Sequence, residues 1–215
     1  MRISLIIIFF IGLLARAQNL PAVDIVSESG FIVNDANSEL GIEGSVYLNE
    51  SWDTVAEVIT PEDKSYSIKA INYNVKLETF VVKSEEGKLL TLNNEKVKYI
   101  KYNSSIFEVI GDKYFEQFSK GEINIFKSYY LVTISGAIDP MTKDKLTNDK
   151  YAIKSKLHLM EGDDLIEFKP TKKNIFKLFS KEKASMVKSH MKKQNLSIRD
   201  EDELKQILNY YSTLK

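Results

Sequence analysis

Residues 151–180 read YAIKSKLHLMEGDDLIEFKPTKKNIFKLFS, and the hydrophobic pattern changes within this stretch. Before Pro170, apolar residues alternate with polar ones, which is typical of a half-buried antiparallel strand. After Pro170, the apolar residues follow helical spacing, with Ile175, Leu178 and Phe179 on one side of a helix. The stretch therefore predicts a β domain that ends at Pro170 and a helical segment that follows it.

Upstream, the chain is a succession of β-branched and aromatic runs separated by turn residues. The turn sequences at 84–87 and 161–164 are short enough to connect neighbouring antiparallel strands. The sequence therefore predicts a mainly β (α+β) fold, an antiparallel meander forming a sandwich or open barrel, with two or three C-terminal helices. The predicted strands are Ala56–Thr60, Tyr66–Asn72, Lys76–Val82, Lys88–Leu92, Lys98–Tyr102, Ile106–Ile110, Tyr114–Ser119, Ile123–Ile134, Tyr151–Met160 and Asp164–Phe168.

The C-terminal residues also predict where the helices begin and end. A side-chain oxygen suits a helix N-terminus, and asparagine suits the left-handed position at a C-terminus. The predicted helices run from Thr171 through Ser180, over Glu182–Gln194, and from Asp200 to about Tyr211. The capping residues are Thr171 for the first helix, Asn195 for the end of the second, and Ser197 or Asp200 for the start of the third, with Glu203 completing a capping box at Asp200.

The first residues of the chain predict an export signal. Arg2 precedes an apolar run of about ten residues, and Ala15-Arg16-Ala17 is the small-x-small pattern that signal peptidase recognises. The run is shorter than the roughly 20 residues that span a bilayer, so we expect no transmembrane segment after cleavage and a periplasmic or extracellular protein. The predicted divisions are a signal peptide at 1–17, an extended leader at 18–45, an antiparallel β domain at 46–170 and a basic C-terminal helical segment at 171–215.

Charge is unevenly distributed along a chain that is neutral overall, with 30 basic and 30 acidic residues. Residues 171–215 carry 11 basic and five acidic side chains, whereas residues 18–170 have a net charge of −8. The near-neutral total argues against nucleic-acid binding. Because the chain has no cysteine, disulfides and a lipid-modified N-terminal cysteine are excluded.

The basic helices are the strongest candidate for a binding site. Residues 172–193 hold eight lysines against Glu182 alone, interleaved with apolar residues such as Phe179 and Val187. Such a helix binds an anionic envelope surface or a protein partner. The alternative is a solvated lysine face over an apolar stripe that packs on the sheet. The possible anionic-surface site comprises Lys172, Lys173, Lys177, Lys181, Lys183, Lys188, Lys192 and Lys193.

Patterns for catalysis and metal binding are incomplete. His158 and His190 are the only histidines, too few for a conventional zinc site without cysteine. Asp35 begins a loop similar to a calcium-binding loop, but Leu40 and Val46 stand where glycine and a bidentate glutamate are needed. We therefore assign no catalytic, cofactor-binding or metal-binding residue. A carboxylate pair for glycan hydrolysis stays open, because 30 acidic residues are available.

Several short motifs carry a resemblance to a protein group: Gly44-Ser45-Val46-Tyr47-Leu48-Asn49 ahead of Trp52, Ile71-Asn72-Tyr73-Asn74, Tyr129-Tyr130, the lysine-rich helix after Pro170 and the ending Leu204–Tyr211. The chain resembles exported β-rich proteins of Bacteroidota that have no established activity. The resemblance implies export and a β architecture. We expect a non-enzymatic binding or scaffold protein of the bacterial cell envelope. The alternatives are a carboxylate-dependent glycan hydrolase and a structural partner in an envelope or secretion assembly.

Overall fold

The computed structural model describes Ile25 and residues 42–214. The predicted signal peptide, most of the predicted extended leader and most of the calcium-like loop lie outside these residues. The strands are β1 Val55–Ile59, β2 Ser65–Lys69, β3 Ile71–Asn74, β4 Thr79–Lys83, β5 Leu89–Thr91, β6 Tyr99–Tyr102, β7 Ser105–Ile110, β8 Lys113–Ser119, β9 Ile125–Ile134, β10 Lys150–Glu161 and β11 Asp164–Phe168. The helices are α1 Lys172–Leu178, α2 Lys181–Gln194 and α3 Glu201–Thr213.

The strands form two antiparallel sheets. The large sheet has eight strands in the order β11-β10-β9-β8-β7-β6-β1-β2, and the small sheet has three in the order β3-β4-β5. Strands β6 to β10 each pair with the next strand in the chain, so most of the large sheet is a meander. The sheets do not close into a barrel, and the predicted mainly β meander with C-terminal helices is confirmed.

One face of the large sheet is covered by two different structures. Strand β8 shows this because alternate residues on a strand point to the same face. Tyr114 belongs to the core shared with the small sheet, whereas Phe118 belongs to the core shared with the helices. Between them lies Glu116, which is 5% exposed. The inner face of the sheet therefore carries two hydrophobic cores with a buried carboxylate at their junction.

The core beneath the small sheet is built around Phe80 of β4, which is fully buried. Four aromatic rings meet it edge-on at centroid distances of 5.1 to 5.3 Å. Edge-to-face pairs of this kind contribute about 0.5–1.5 kcal/mol beyond the burial of area. The four rings belong to Tyr73, Tyr102, Phe107 and Tyr114.

The prediction of one strand at Tyr66–Asn72 is wrong, because two strands of different sheets occupy this stretch. Ala70 has a φ of 51°, in the left-handed region that non-glycine residues rarely adopt. The chain turns at this residue, so β2 stays in the large sheet and β3 starts the small one.

The predicted strand Lys76–Val82 also starts later than expected. The side chain of Asn74 accepts hydrogen bonds from the backbone N–H groups of Lys76 and Leu77, both at 3.0 Å. This local turn competes with strand formation. Leu77 therefore lies exposed in the turn and not in a strand.

The predicted caps Thr171, Asn195 and Asp200 are confirmed, whereas Ser197 does not cap α3. Thr171 accepts a hydrogen bond from the N–H of Asn174, and Asn195 adopts the left-handed conformation with φ 54° and ψ 40°. Asp200 caps α3, but the carboxylate of Glu203 accepts from the N–H of Ser197, so the capping box is incomplete. The long first helix predicted through Ser180 ends instead at Leu178, and Ser180 itself caps α2.

We expect Phe80→Ala to lower the free energy of unfolding by about 3–5 kcal/mol, because it removes a buried ring and leaves a cavity between four aromatic side chains. Urea denaturation followed by fluorescence measures this change. Phe115→Ala is the matched control, since this ring lies on the opposite, partly exposed face of the sheet and its loss costs less. Equal losses in the two variants would contradict the assignment of Phe80 to the centre of the core.

Candidate functional site

The lysines predicted to form a binding surface fall into two groups. Seven of them are exposed on α1 and α2, and no described carboxylate lies within ion-pair distance of them. Lys183 differs, because its ammonium group lies 2.6 Å from the carboxylate of Glu122 and 5.2 Å from the ring centroid of Tyr211. Its side chain is only 17% exposed. Lys183 is therefore a packing residue, and the remaining seven form the basic surface: Lys172, Lys173, Lys177, Lys181, Lys188, Lys192 and Lys193.

The apolar side chains between these lysines are already used by the fold. Ile175, Phe179 and Val187 are buried in the core that the helices share with the large sheet. The rings of Phe179, directly after α1, and Tyr211 stack at 4.7 Å, which holds the end of α1 against α3. The helices therefore have no free apolar stripe with which to enter a bilayer, and any contact made by the basic surface is electrostatic.

A second group of polar residues lies at the junction of the two cores. The carboxylate of Glu116 accepts a hydrogen bond from the hydroxyl of Ser105 at 2.7 Å and another from the hydroxyl of Tyr129. The ammonium group of Lys205, on α3, lies 3.9 Å from the same carboxylate. Burial and the adjacent carboxylate raise the pKa of Tyr129 far above its usual value, so its hydroxyl stays protonated and donates.

An ion pair continues this cluster toward the helices. The ammonium group of Lys127 on β9 contacts the carboxylate of Glu201 in the first turn of α3. Glu201 also accepts a hydrogen bond from Ser155 at 3.4 Å, and the side chain of Lys127 is only 13% exposed. Acidic residues at a helix N-terminus interact favourably with the helix dipole. The cluster therefore fixes α3 against the large sheet.

Sequence patterns do not reveal this cluster. Its members come from β7, β8, β9, β10 and α3, and no short motif joins them. The one available signal is Glu116 itself, an acidic residue in phase with Tyr114 and Phe118 on the inner side of a predicted strand.

His158 lies on the outer face of the large sheet, opposite to the cores. Its Nε2 atom is 2.8 Å from the hydroxyl oxygen of Ser128, and its ring meets that of Phe115 at 5.4 Å. Glu167 stands directly across from it on β11, but that carboxylate pairs with Lys156 at 3.0 Å. Partial burial lowers the pKa of His158, with Glu167 opposing the shift. The serine and histidine thus lack an acidic third partner within the described contacts.

Other kinds of site find no support in the residues that the structure describes. Within 42–214 and Ile25, no three histidine, aspartate or glutamate side chains gather closely enough to hold a metal ion. In the same part of the chain, no helix combines the length and apolar character that a membrane crossing requires. Comparisons of the chain with known protein families, with curated proteins and with solved structures find no match.

We expect Tyr129→Phe to lower the free energy of unfolding by about 1–3 kcal/mol, because it leaves one oxygen of the buried Glu116 carboxylate without its donor. Tyr130→Phe is the control, since its ring lies on the outer face and its hydroxyl makes no hydrogen bond with the described residues. That change should stay within about 0.5 kcal/mol. Urea denaturation of both variants provides the comparison, and an unaffected Tyr129→Phe protein would contradict the structural role of the cluster.

We expect His158 to make the protein less stable as the pH falls. Its pKa is lower in the folded chain than the value of about 6.5 in the unfolded chain, so the unfolded chain binds more protons between the two values. The contribution of the neutral ring to stability is full above pH about 6.5 and is lost as the pH falls through the folded pKa.

Denaturation midpoints of the parent and His158→Gln proteins between pH about 7.5 and 5.5 test this expectation. The variant should lose less stability over this window than the parent. Equal losses in the two proteins would show that His158 does not carry the effect.

Proposed function

We propose that the protein is exported and acts as a non-enzymatic binding or scaffold protein of the bacterial cell envelope, held at an anionic lipid surface by the basic surface of α1 and α2. Export rests on the apolar run after Arg2 and on Ala15-Arg16-Ala17. The observation that carries the binding proposal is the set of seven exposed lysines without ion-pair partners among the described residues.

The unpaired positive charge of this surface favours an anionic target. Elsewhere, lysines of the described chain are often paired, as Lys98 is with Asp63 and Lys101 is with Glu57. On α2, Lys181, Lys188 and Lys192 share one side of the helix, since they are separated by seven and then four residues. A lysine that lies next to an anionic membrane surface contributes about 1 kcal/mol of attraction to it. The three lysines on this side of α2 therefore contribute about 3 kcal/mol, which is sufficient for weak, reversible attachment.

The buried apolar stripe defines the kind of attachment. Because the apolar side of α1 and α2 packs in the helical core, the protein attaches by charge and does not insert. Salt therefore weakens the attachment: the screening length falls from about 10 Å at 0.1 M to about 3 Å at 1 M ionic strength.

We expect the triple variant Lys181→Gln, Lys188→Gln, Lys192→Gln to bind phosphatidylglycerol-containing vesicles roughly 100-fold more weakly than the parent, at about 1 kcal/mol for each lysine. Co-sedimentation measures the bound fraction. The control is Lys64→Gln, Lys69→Gln, Lys76→Gln, which removes the same charge from exposed lysines that have no ion pair with described residues.

Three results would contradict the proposal that the surface binds lipid. One is equal retention of the two triple variants. Another is equal binding of the parent to phosphatidylcholine vesicles, because these lack the anionic charge. The third is that the parent recovers a protein from envelope extracts, the α2 variant does not, and both bind vesicles equally. In that case the surface binds a protein partner, and the lipid proposal is overturned.

A further inference from the structure

One edge of the large sheet contains a gap. Strand β10 pairs with β9 over Lys150–Leu159, but on its other side it pairs with β11 only from Leu157 to Glu161. Near its start, β10 has a parallel bridge between Lys150 and Glu43. Within the described chain, residues 152–156 therefore have no neighbouring strand on the edge of β10 that faces away from β9.

Some backbone N–H and C=O groups at this gap point away from β9, toward the open edge. The N–H of Tyr151 donates to the carbonyl of Glu43 at 2.8 Å, on the side away from β9. Strand residues alternate in direction, so Ile153 and Ser155 direct their N–H and C=O groups to the same side as Tyr151. The two N–H and two C=O groups of Ile153 and Ser155 lie in an unpaired stretch of about 17 Å. The bridge to Glu43 bounds this stretch at one end, and the pairing with Phe168 bounds it at the other. The stretch has the length of a five-residue strand.

A cleft of about 330 Å³ lies beside the gap. Its apolar lining comes from the middle of β10, from the end of β11 and the chain just after it, and from the chain before and within α3. A second cleft of about 490 Å³ continues from it past Arg199 toward α1. The first volume falls in the lower part of the range of ligand pockets, about 300–1,000 Å³, so the cleft has room for an apolar side chain of a bound segment. The apolar lining consists of Leu157, Phe168, Pro170, Ile198 and Leu204.

The rim of the gap has a positive charge. Lys154, Lys169 and Arg199 are exposed and have no ion-pair partner among the described residues. The two acidic side chains at the rim are already neutralised, because Glu167 pairs with Lys156 and Glu201 pairs with Lys127. An incoming carboxylate would therefore meet unpaired positive charge.

We propose that this gap binds an extended, acidic peptide segment of a partner protein, which adds a short strand to β10. Outward backbone groups at Ile153 and Ser155 hydrogen-bond the peptide, as in other cases of strand addition. Because side chains alternate, the peptide places apolar residues toward the cleft and acidic residues toward Lys154 on the outer face. The site is separate from the basic surface and does not depend on lipid binding.

A second copy of the chain fits the gap less well. In a two-fold edge-to-edge pair centred on the gap, Lys154 of one copy would face Lys154 of the other. Like charges directly opposite one another on neighbouring strands are destabilising. The charge at the edge therefore favours an acidic partner over self-association.

Fluorescence anisotropy with a labelled seven-residue peptide that alternates glutamate with valine tests the proposal in the full chain. A peptide with lysine in place of glutamate is the control probe. We expect the acidic peptide to bind and the basic one not to bind. On binding, the amide protons of Ile153 and Ser155 should exchange with solvent more slowly, because they become hydrogen-bonded.

Two variants separate the proposed contacts. Lys154→Glu should weaken peptide binding at least tenfold, whereas Lys64→Glu, the same change at a distant exposed lysine, should leave it unchanged. Ser155→Pro should abolish binding, because proline removes an outward N–H and is tolerated where that group faces solvent. Circular dichroism verifies that both variants are folded.

Several results would overturn the proposal. They are unchanged affinity in both variants, equal affinity for the acidic and basic peptides, and absence of binding, whether the gap stays solvated or another part of the same chain fills it. Self-association of the protein without peptide, abolished by Lys154→Glu and Ser155→Pro, would assign the gap to a second copy. Vesicle binding plays no part in these measurements, so their failure leaves the lipid proposal to its own test.

Discussion

The inner face of the eight-stranded sheet has to be shielded from water along its whole length, and the rest of the structure follows from how this is done. Burying apolar surface is the dominant favourable term in folding. The small sheet covers one part of the face and the helices cover the other. This division commits the apolar side of α1 and α2 to the interior, so their lysines necessarily face outward. The surface chemistry of the protein is therefore a consequence of its packing.

The junction between the small sheet and the helices carries a free-energy cost, because a carboxylate is buried there. A carboxylate that is out of contact with water must be compensated by donors or by opposite charge. Glu116 obtains two hydroxyl donors from the sheet and a nearby ammonium group from α3. These contacts require the sheet and α3 to be correctly placed at the same time. The polar cluster thus links the position of the helices to that of the strands beneath them.

The sequence predicts the features that depend on local chemistry. Alternation identifies most strands, the change of period after Pro170 marks the helical segment, and Thr171 and Asn195 cap helices as expected. The sheet switch at Ala70 is missed because it rests on a left-handed backbone conformation at a residue type that rarely adopts one. The gap beside β10 is missed because pairing depends on which strands become neighbours. Of the candidate site, the lysines are evident from composition, but the pairing of Lys183 with Glu122 is not.

The excursion of the chain into the small sheet has a consequence for the entropy of the fold. Strand β1 pairs with β6, and the contact between Glu57 and Lys101 joins residues 44 positions apart. A flexible loop of that length is expensive to close, and the cost grows with the logarithm of its length. Strands β3, β4 and β5 pair with one another inside this loop and so tie much of it together. The small sheet thereby shortens the flexible loop between β1 and β6, which lowers the entropy cost of pairing these two strands.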